Sequence, residues 1–400
     1  MTASDAGAVL DASGIVYFGN DWSAENRTSS HHIARRLARR QPLLYVDSPG
    51  QRAPSGSPRD VKKLVRKLAH AVRLPQPCGP NTWVCTVPQL PYRRVPGVNA
   101  LNGLLARWLM RRAIRHVGFS STVLWFALPH PGFLAGELGE KFVVYYCIDD
   151  YAAHPGVDAD WIQAADDALT RKADRVFVAP PALLEPKRRL NAAVSFAPHG
   201  VDAELFGRAA EPETVVPPEA QALPHPIIGF FGSVADWIDV PLLAAVARLR
   251  PRYTVLMIGH VTTDVAELTS LPNVKFVGPQ RYETLPQWAK AFDVAIIPYR
   301  RSRQVMNANP LKLREYLATG KPVVSVSTPE VDRFEGLVRI ANDADAFAHA
   351  IDDSLQETGR AAADRRMQAV RPYTWDARVL ETVTMVTNDM RLKLGGRGEQ

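Results

Sequence analysis

The chain has 400 residues, 46% hydrophobic and 22% charged, with a formal net charge of +7. It is too long for one comfortable core and suits two domains of ordinary soluble composition, and no run approaches the ~20 apolar residues a membrane helix needs. The charge is uneven: between Arg27 and Arg115, 18 basic residues face only Asp47 and Asp60. Cys78, Cys85 and Cys147 are three scattered thiols with neither disulfide-framework nor zinc spacing. The first residues lack the basic start and apolar stretch of a signal peptide. These features lead us to expect a cytoplasmic protein without a structural metal.

In chain order, Gly14–Phe18 reads as a buried strand, 21–27 as a polar loop, 29–40 as a helix and Leu43–Val46 as a second strand. That β-loop-α-β opening begins a doubly wound domain. A Pro/Gly/Ser loop at 48–58 leads into 60–74, a basic amphipathic helix by its spacing. Val61, Leu64, Val65, Leu68 and Val72 share one stripe and Lys62, Lys63, Arg66, Lys67 and Arg73 fill the rest. Such a helix fits an anionic membrane surface and equally a surface helix packed on its own domain. Nucleic acid is not expected as a partner, because Trp83, Tyr92 and Trp108 are not interleaved with the basic residues as a stacking surface would require.

Further strands follow at 82–87, 123–126, 142–146, 175–178 and 194–196, with helices at 98–116, 158–172 and 180–190. Five prolines between Pro212 and Pro226 mark a linker. A second α/β series has strands near 227–231, 254–258, 274–277, 293–297 and 323–326. Gly232, Gly259 and Gly278 each follow a strand, where such folds place ligand-facing turns. The expected division is 1–211, a linker at 212–226, 227–372, and a last helix within 373–400 that crosses back to the first domain. Gly-x-Gly-x-x-Gly is absent from the sequence. The fold class is α/β: two doubly wound, Rossmann-like domains facing across a cleft, the default place for a ligand.

The segment from Asn307 to Ser325 reads as loop, helix, tight turn and buried strand. Asn309 suits the N-cap, Pro310 the first helical position, and Gly320 with Pro322 the stop. A helix N-terminus offers backbone N–H groups to an anion such as phosphate. Lys312 adds a positive charge there and Glu315 a carboxylate one turn on. Diphosphate oxygens suit the helix end and ribose hydroxyls suit the acid. The same two residues also fit a plain i,i+3 ion pair.

Glu315-Tyr-Leu-Ala-Thr-Gly-Lys-Pro-Val-Val324 resembles, in register, the donor-sugar motif of the family 4 (group 1) retaining glycosyltransferases of the GT-B fold. Ala197-Pro-His-Gly-Val-Asp202 with Phe206, Ile227–Ser233, and the run from Val274 through Leu285-Pro286 to Pro298 resemble further motifs of that family in the same order. The resemblance covers roughly 175–330 well and the N-terminal part in outline. It implies a nucleotide-sugar donor, a glycan or lipid-linked acceptor, retention of configuration, and no metal or other cofactor. The donor side it implies is Gly232, Ser233, Arg300, Asn307, Asn309, Leu311, Lys312 and Glu315, with Arg301 and Arg303 beside it.

On the first domain, His130, Asp149 and Asp150 follow strands and are the candidate catalytic groups; His130 loosely resembles the family's cleft histidine. Asn20, Asp21, Arg27 and His31 are the candidate acceptor side. His31 and His32 point to different sides of a helix, which argues against a shared metal. Two departures stand out. Asn307 holds the place of the family's first glutamate, and the loop 232–239 has no basic residue. The expected function is glycosyl transfer to a lipid-linked or cell-envelope polysaccharide acceptor, with the protein cytoplasmic or peripheral at the inner membrane face. The alternatives are a GT-B-shaped nucleotide-sugar epimerase or phosphorylase, and a degenerate, non-catalytic scaffold subunit.

Overall fold

The computed structural model describes residues 14–24, 27–47, 74–87, 97–357 and 359–395. The basic amphipathic segment at 60–73 and the loop at 48–58 lie outside the described residues. The chain divides into two compact units, 1–198 with 378–400, and 199–377.

In the first unit the strands are β1 (Gly14–Gly19), β2 (Leu43–Asp47), β3 (Gln76–Gly79), β4 (Thr82–Thr86), β5 (Thr122–Phe126), β6 (Phe142–Cys147), β7 (Arg175–Val178) and β8 (Val194–Phe196). They form one sheet in the order β3-β4-β2-β1-β5-β6-β7-β8, parallel except for β3. The central strands are buried from end to end. Unbroken apolar runs such as Val16-Tyr-Phe and Val123-Leu-Trp-Phe therefore code for a sheet covered on both faces rather than one alternating with solvent. β3, which is fully exposed and carries no apolar pattern, was not expected. The order reverses between β1 and β5, which puts the switch point of this unit at their carboxyl ends.

In the second unit β9 (Ile227–Phe231), β10 (Thr254–Ile258), β11 (Val274–Gly278), β12 (Val294–Ile297), β13 (Val323–Ser325) and β14 (Arg339–Ile340) lie in the order β11-β10-β9-β12-β13-β14. Counted within the unit this is 3-2-1-4-5-6, with every pairing parallel. Its switch point falls between β9 and β12. One core, with Phe231, Leu256, Phe292, Leu313 and Leu317, fills one face of the sheet; Ile228, Phe230, Leu243, Met257 and Ile351 fill the other.

The unit boundary departs from the expected one. Val201, Phe206 and Ala209, placed by sequence in the first domain, are buried in the second unit's core. Phe206 stacks on Phe231 at 5.7 Å and meets Tyr282 edge-on at 5.5 Å. The proline-rich 212–226 is likewise no free tether, since Ala220 is buried in that core and Thr254 donates to the Pro224 carbonyl at 2.7 Å. The last helix, Trp375–Gly395, returns to the first unit. There Arg175 makes two bonds to the Asp389 carboxylate, at 2.6 and 2.8 Å, and Lys393 reaches Asp174 at 2.6 Å.

Candidate active site

The second unit builds its site from glycines at strand ends. Gly232 follows β9 and Gly259 follows β10, both at φ +142°, a conformation glycine adopts without strain. A Cβ on Gly259 would stand 1.9 Å from the Gly232 carbonyl oxygen, and one on Gly232 would stand 2.7 Å from Lys312 Cε. The backbone thus turns closely at the switch point and the Lys312 stem lies across it.

The base-poor loop after Gly232 is held by backbone bonds. Val234 donates to the His260 carbonyl at 2.8 Å, Arg300 to that of Trp237 at 2.7 Å, and Asp239 to that of Pro298 at 2.8 Å. The Asp239 carboxylate caps the helix Val240–Leu249 through the Leu242 N–H at 3.0 Å. Ser233 in this loop is half-buried.

After β12 a short helix, Arg303–Met306, is capped by Ser302, and half-buried Asn307 ends it. Arg300, Arg301 and Arg303 are exposed. The following helix, Leu311–Ala318, begins one residue later than expected. Pro310 is its N-cap and no side chain caps it; the Leu313 N–H turns back to the Pro310 carbonyl at 3.3 Å, so an anion here would meet the N–H groups of Leu311 and Lys312. Asn309 does not cap because its side-chain oxygen accepts from Arg314 Nη1 at 2.8 Å. Its main-chain carbonyl accepts from His199 Nδ1 at 2.9 Å.

Lys312 Nζ stands 3.0 Å from Glu315 Oε2 and 5.4 Å from the centre of the Phe231 ring. The ion pair open to the sequence is therefore formed. Glu315 itself is 3% exposed. Together with burial, its charge pushes the Tyr299 phenol well up, so that group stays protonated. Tyr316 bolts the helix to β9: its hydroxyl accepts from the Phe231 N–H at 2.9 Å and donates to the Phe231 carbonyl at 3.3 Å.

Behind this site lies a support that the sequence did not disclose. Arg314 and Glu330 are both fully buried and form an ion pair. The guanidinium also lies 4.8 Å from the Tyr373 ring and 5.3 Å from that of Phe334. Burial pushes the Arg314 value down and that of Glu330 up, and their mutual attraction opposes both shifts. His199 is pushed down to about 3 by burial and is neutral, with Nδ1 carrying the proton it donates to Asn309. Both oxygens of Asn309 are thus tied just ahead of the helix end.

In the first unit, Gly19 ends β1 where a Cβ would meet Tyr45 Oη at 2.2 Å and Ser30 Oγ at 2.4 Å. Asn20 donates to Thr28 Oγ1 at 3.3 Å, and its carbonyl accepts from Tyr45 at 2.6 Å. Asp21 is exposed and accepts from the Ser23 N–H at 3.0 Å and hydroxyl at 2.7 Å. Half-buried Arg27 raises the positive potential at His31.

His31 is buried, and both of its ring nitrogens are engaged. Nδ1 accepts from the Thr28 N–H at 3.1 Å and Nε2 bonds the Asp21 carbonyl at 2.8 Å. It clamps the loop rather than presenting its ring to a ligand. His130 is buried at the start of the turn His130–Leu134, 6.5 Å from the Trp161 ring. Asp149 pairs with His154 Nε2 at 2.9 Å and accepts from the Asp150 N–H at 2.9 Å, and the Asp150 side chain is buried. His154, five residues after Asp149, carried no signal in the sequence.

Two α/β units with reversed-order parallel sheets define the GT-B class of architecture, the one that several glycosyltransferases share. Residues 225–357 match the family model described as "Glycosyl transferases group 1". TuaH of Bacillus subtilis (strain 168), which bears the name of a teichuronic acid biosynthesis glycosyltransferase, is 28% identical over 229 residues. That match covers 53% of this chain and 57% of TuaH, so it spans little more than half of the relative's length. Among solved structures, sucrose-phosphate synthase from Thermosynechococcus elongatus superposes with a TM-score of 0.66 at 16% identity, over 96% of this chain and 100% of that one. Anabaena Alr3699/HepE in complex with UDP and glucose gives 0.59 at 14% identity, over 97% and 100%. The family match, the relative and these neighbours together support a glycosyltransferase of the GT-B fold.

Proposed function

We propose that this chain is a retaining, metal-independent glycosyltransferase. In this reading it moves a sugar from a nucleotide-sugar donor to a lipid-linked or cell-envelope polysaccharide acceptor at the inner face of the cytoplasmic membrane. The carrying observation is the uncapped helix end at Leu311 with Lys312 across Gly232 and the buried carboxylate of Glu315 beside it. A diphosphate takes the helix N–H groups and Lys312, with Arg300 nearby on the loop surface. Releasing Lys312 to phosphate frees Glu315 to accept from the ribose hydroxyls. Asn307 meets the sugar as an amide, so it offers hydrogen bonds without charge.

Asp149, Asp150 and His130 orient the acceptor hydroxyl, and the leaving diphosphate takes its proton. Asn20, Asp21 and Arg27 line the acceptor side, and His31 shapes their loop. Retention follows from the likeness of Glu315–Val324 to the retaining family's donor motif. The HepE complex with UDP and the name of TuaH support the donor and acceptor classes.

Calorimetry with UDP, GDP, dTDP and CDP, on wild type and Glu315→Ala, tests the reading. One nucleotide should bind tightly and lose affinity by about tenfold to a hundredfold in the variant, the value of a charge-assisted hydrogen bond. A folded protein that binds none of the four refutes it.

A further inference from the structure

We infer that the outer stripe of the helix Val98–His116 is a docking surface for an anionic phospholipid membrane. This rests on the membrane part of the reading above and names the surface responsible. Leu101, Leu104 and Trp108, spaced for one helix face, are 54%, 61% and 54% exposed. Single exposed apolar residues are ordinary; three in line ending in a tryptophan are not.

The stripe continues into Arg111 and Arg115, both exposed, and the helix contains no Asp or Glu. Arg112 lies 5.7 Å from the Trp108 ring. An apolar stripe with basic residues on the same helix is what an anionic interface attracts: rings and leucines enter the headgroup layer while guanidinium groups meet phosphates.

The helix is anchored from behind. Ala106, Met110, Ala113 and Ile114 are buried in the first unit's core. Arg107 pairs with Glu137 at 3.0 Å, and Arg111, on the stripe itself, also donates to the Glu137 carbonyl at 2.7 Å. The stripe can therefore enter a bilayer surface without unfolding its unit. A protein partner fits less well, because a handful of side chains falls far short of the roughly 20–30 residues a standard interface uses on each side.

The test is sedimentation of the full chain with vesicles of phosphatidylglycerol and phosphatidylcholine, against phosphatidylcholine alone. Three variants are compared with wild type: Leu101→Ser/Leu104→Ser/Trp108→Ser, Arg111→Gln/Arg115→Gln, and Lys62→Gln/Lys63→Gln/Arg66→Gln/Lys67→Gln. The stripe variant should lose binding by about tenfold or more. The arginine pair should cost roughly fivefold per residue, an effect that high salt removes. Brominated lipid should quench wild-type fluorescence more than that of Trp108→Phe. Unchanged binding by the stripe variant, with loss only in the 62–67 variant, overturns this surface and leaves the membrane reading intact. No binding by wild type overturns both. A dimer dissociated by the stripe variant, without vesicle binding, assigns the stripe to a second copy and overturns the inference. None of these outcomes alters the nucleotide calorimetry, which tests glycosyl transfer separately.

Discussion

Replacing His199 by asparagine should flatten the acid side of the protein's stability curve. The ring is buried, bonds the Asn309 carbonyl, and has a folded value near 3 against an ordinary 6.5. A histidine depressed on folding withholds a proton that the unfolded chain takes up. Its contribution is therefore complete above about 6.5 and is lost as pH falls toward 3. At 1.36 kcal/mol per pKa unit, the full window amounts to roughly 3–5 kcal/mol, of which about 2 kcal/mol is lost between pH 7 and pH 5. His31 and His32 are depressed in the same direction and burial raises Glu330, so wild type alone mixes several contributions. The difference between wild type and His199→Asn removes the others. Asparagine keeps an N–H donor for the Asn309 carbonyl and does not titrate. Urea unfolding at a series of pH values gives the curves. Parallel curves from pH 7 to pH 4 would refute the buried, neutral ring.

Arg314→Met should cost about 3–5 kcal/mol in urea unfolding, because it strands the buried Glu330 carboxylate. Arg314→Met/Glu330→Met should recover most of that loss, yet nucleotide affinity should stay low in both because Asn309 has lost its Arg314 partner. A double variant no more stable than the single one would contradict this account. Gly259→Ala should lower the melting temperature more than Gly232→Ala. The first forces a Cβ onto backbone, the second onto the movable end of a lysine, and both add strain at φ +142°. Gly232→Ala should instead show chiefly in nucleotide binding; scanning calorimetry and titration separate the two.

Much of the fold was legible because buried parallel strands leave apolar runs, such as Ile227–Phe231 between Pro226 and Gly232, and Val294–Ile297 between Asp293 and Pro298. The helix Leu311–Ala318 was legible to within one residue. The cap slipped because Asn309 had a stronger offer than its own helix: a buried guanidinium five residues on. That guanidinium was itself unreadable. Arg314 and Glu330 look like surface charges in sequence, and only the packing of Tyr373 and Phe334 around them makes them core. The boundary after Pro198 was hidden for a similar reason. Prolines at 212–226 signal a change of direction, whereas Phe206 decides which core the preceding residues join. In 98–116 the helix was clear, but which side faced solvent depended on what packs behind Met110 and Ile114.

The return of residues 378–395 to the first unit has a consequence for how the protein is made. In chain order the second unit is an insertion, and the first stays incomplete until the Asp389 and Lys393 clasps on β7 and its neighbour Asp174 have been synthesised. Residues 199–377 can fold as one contiguous piece while the ribosome is still working. The earlier-made unit thus finishes last, and a chain truncated after residue 377 should show a protease-resistant second unit beside a first unit that is still cleavable.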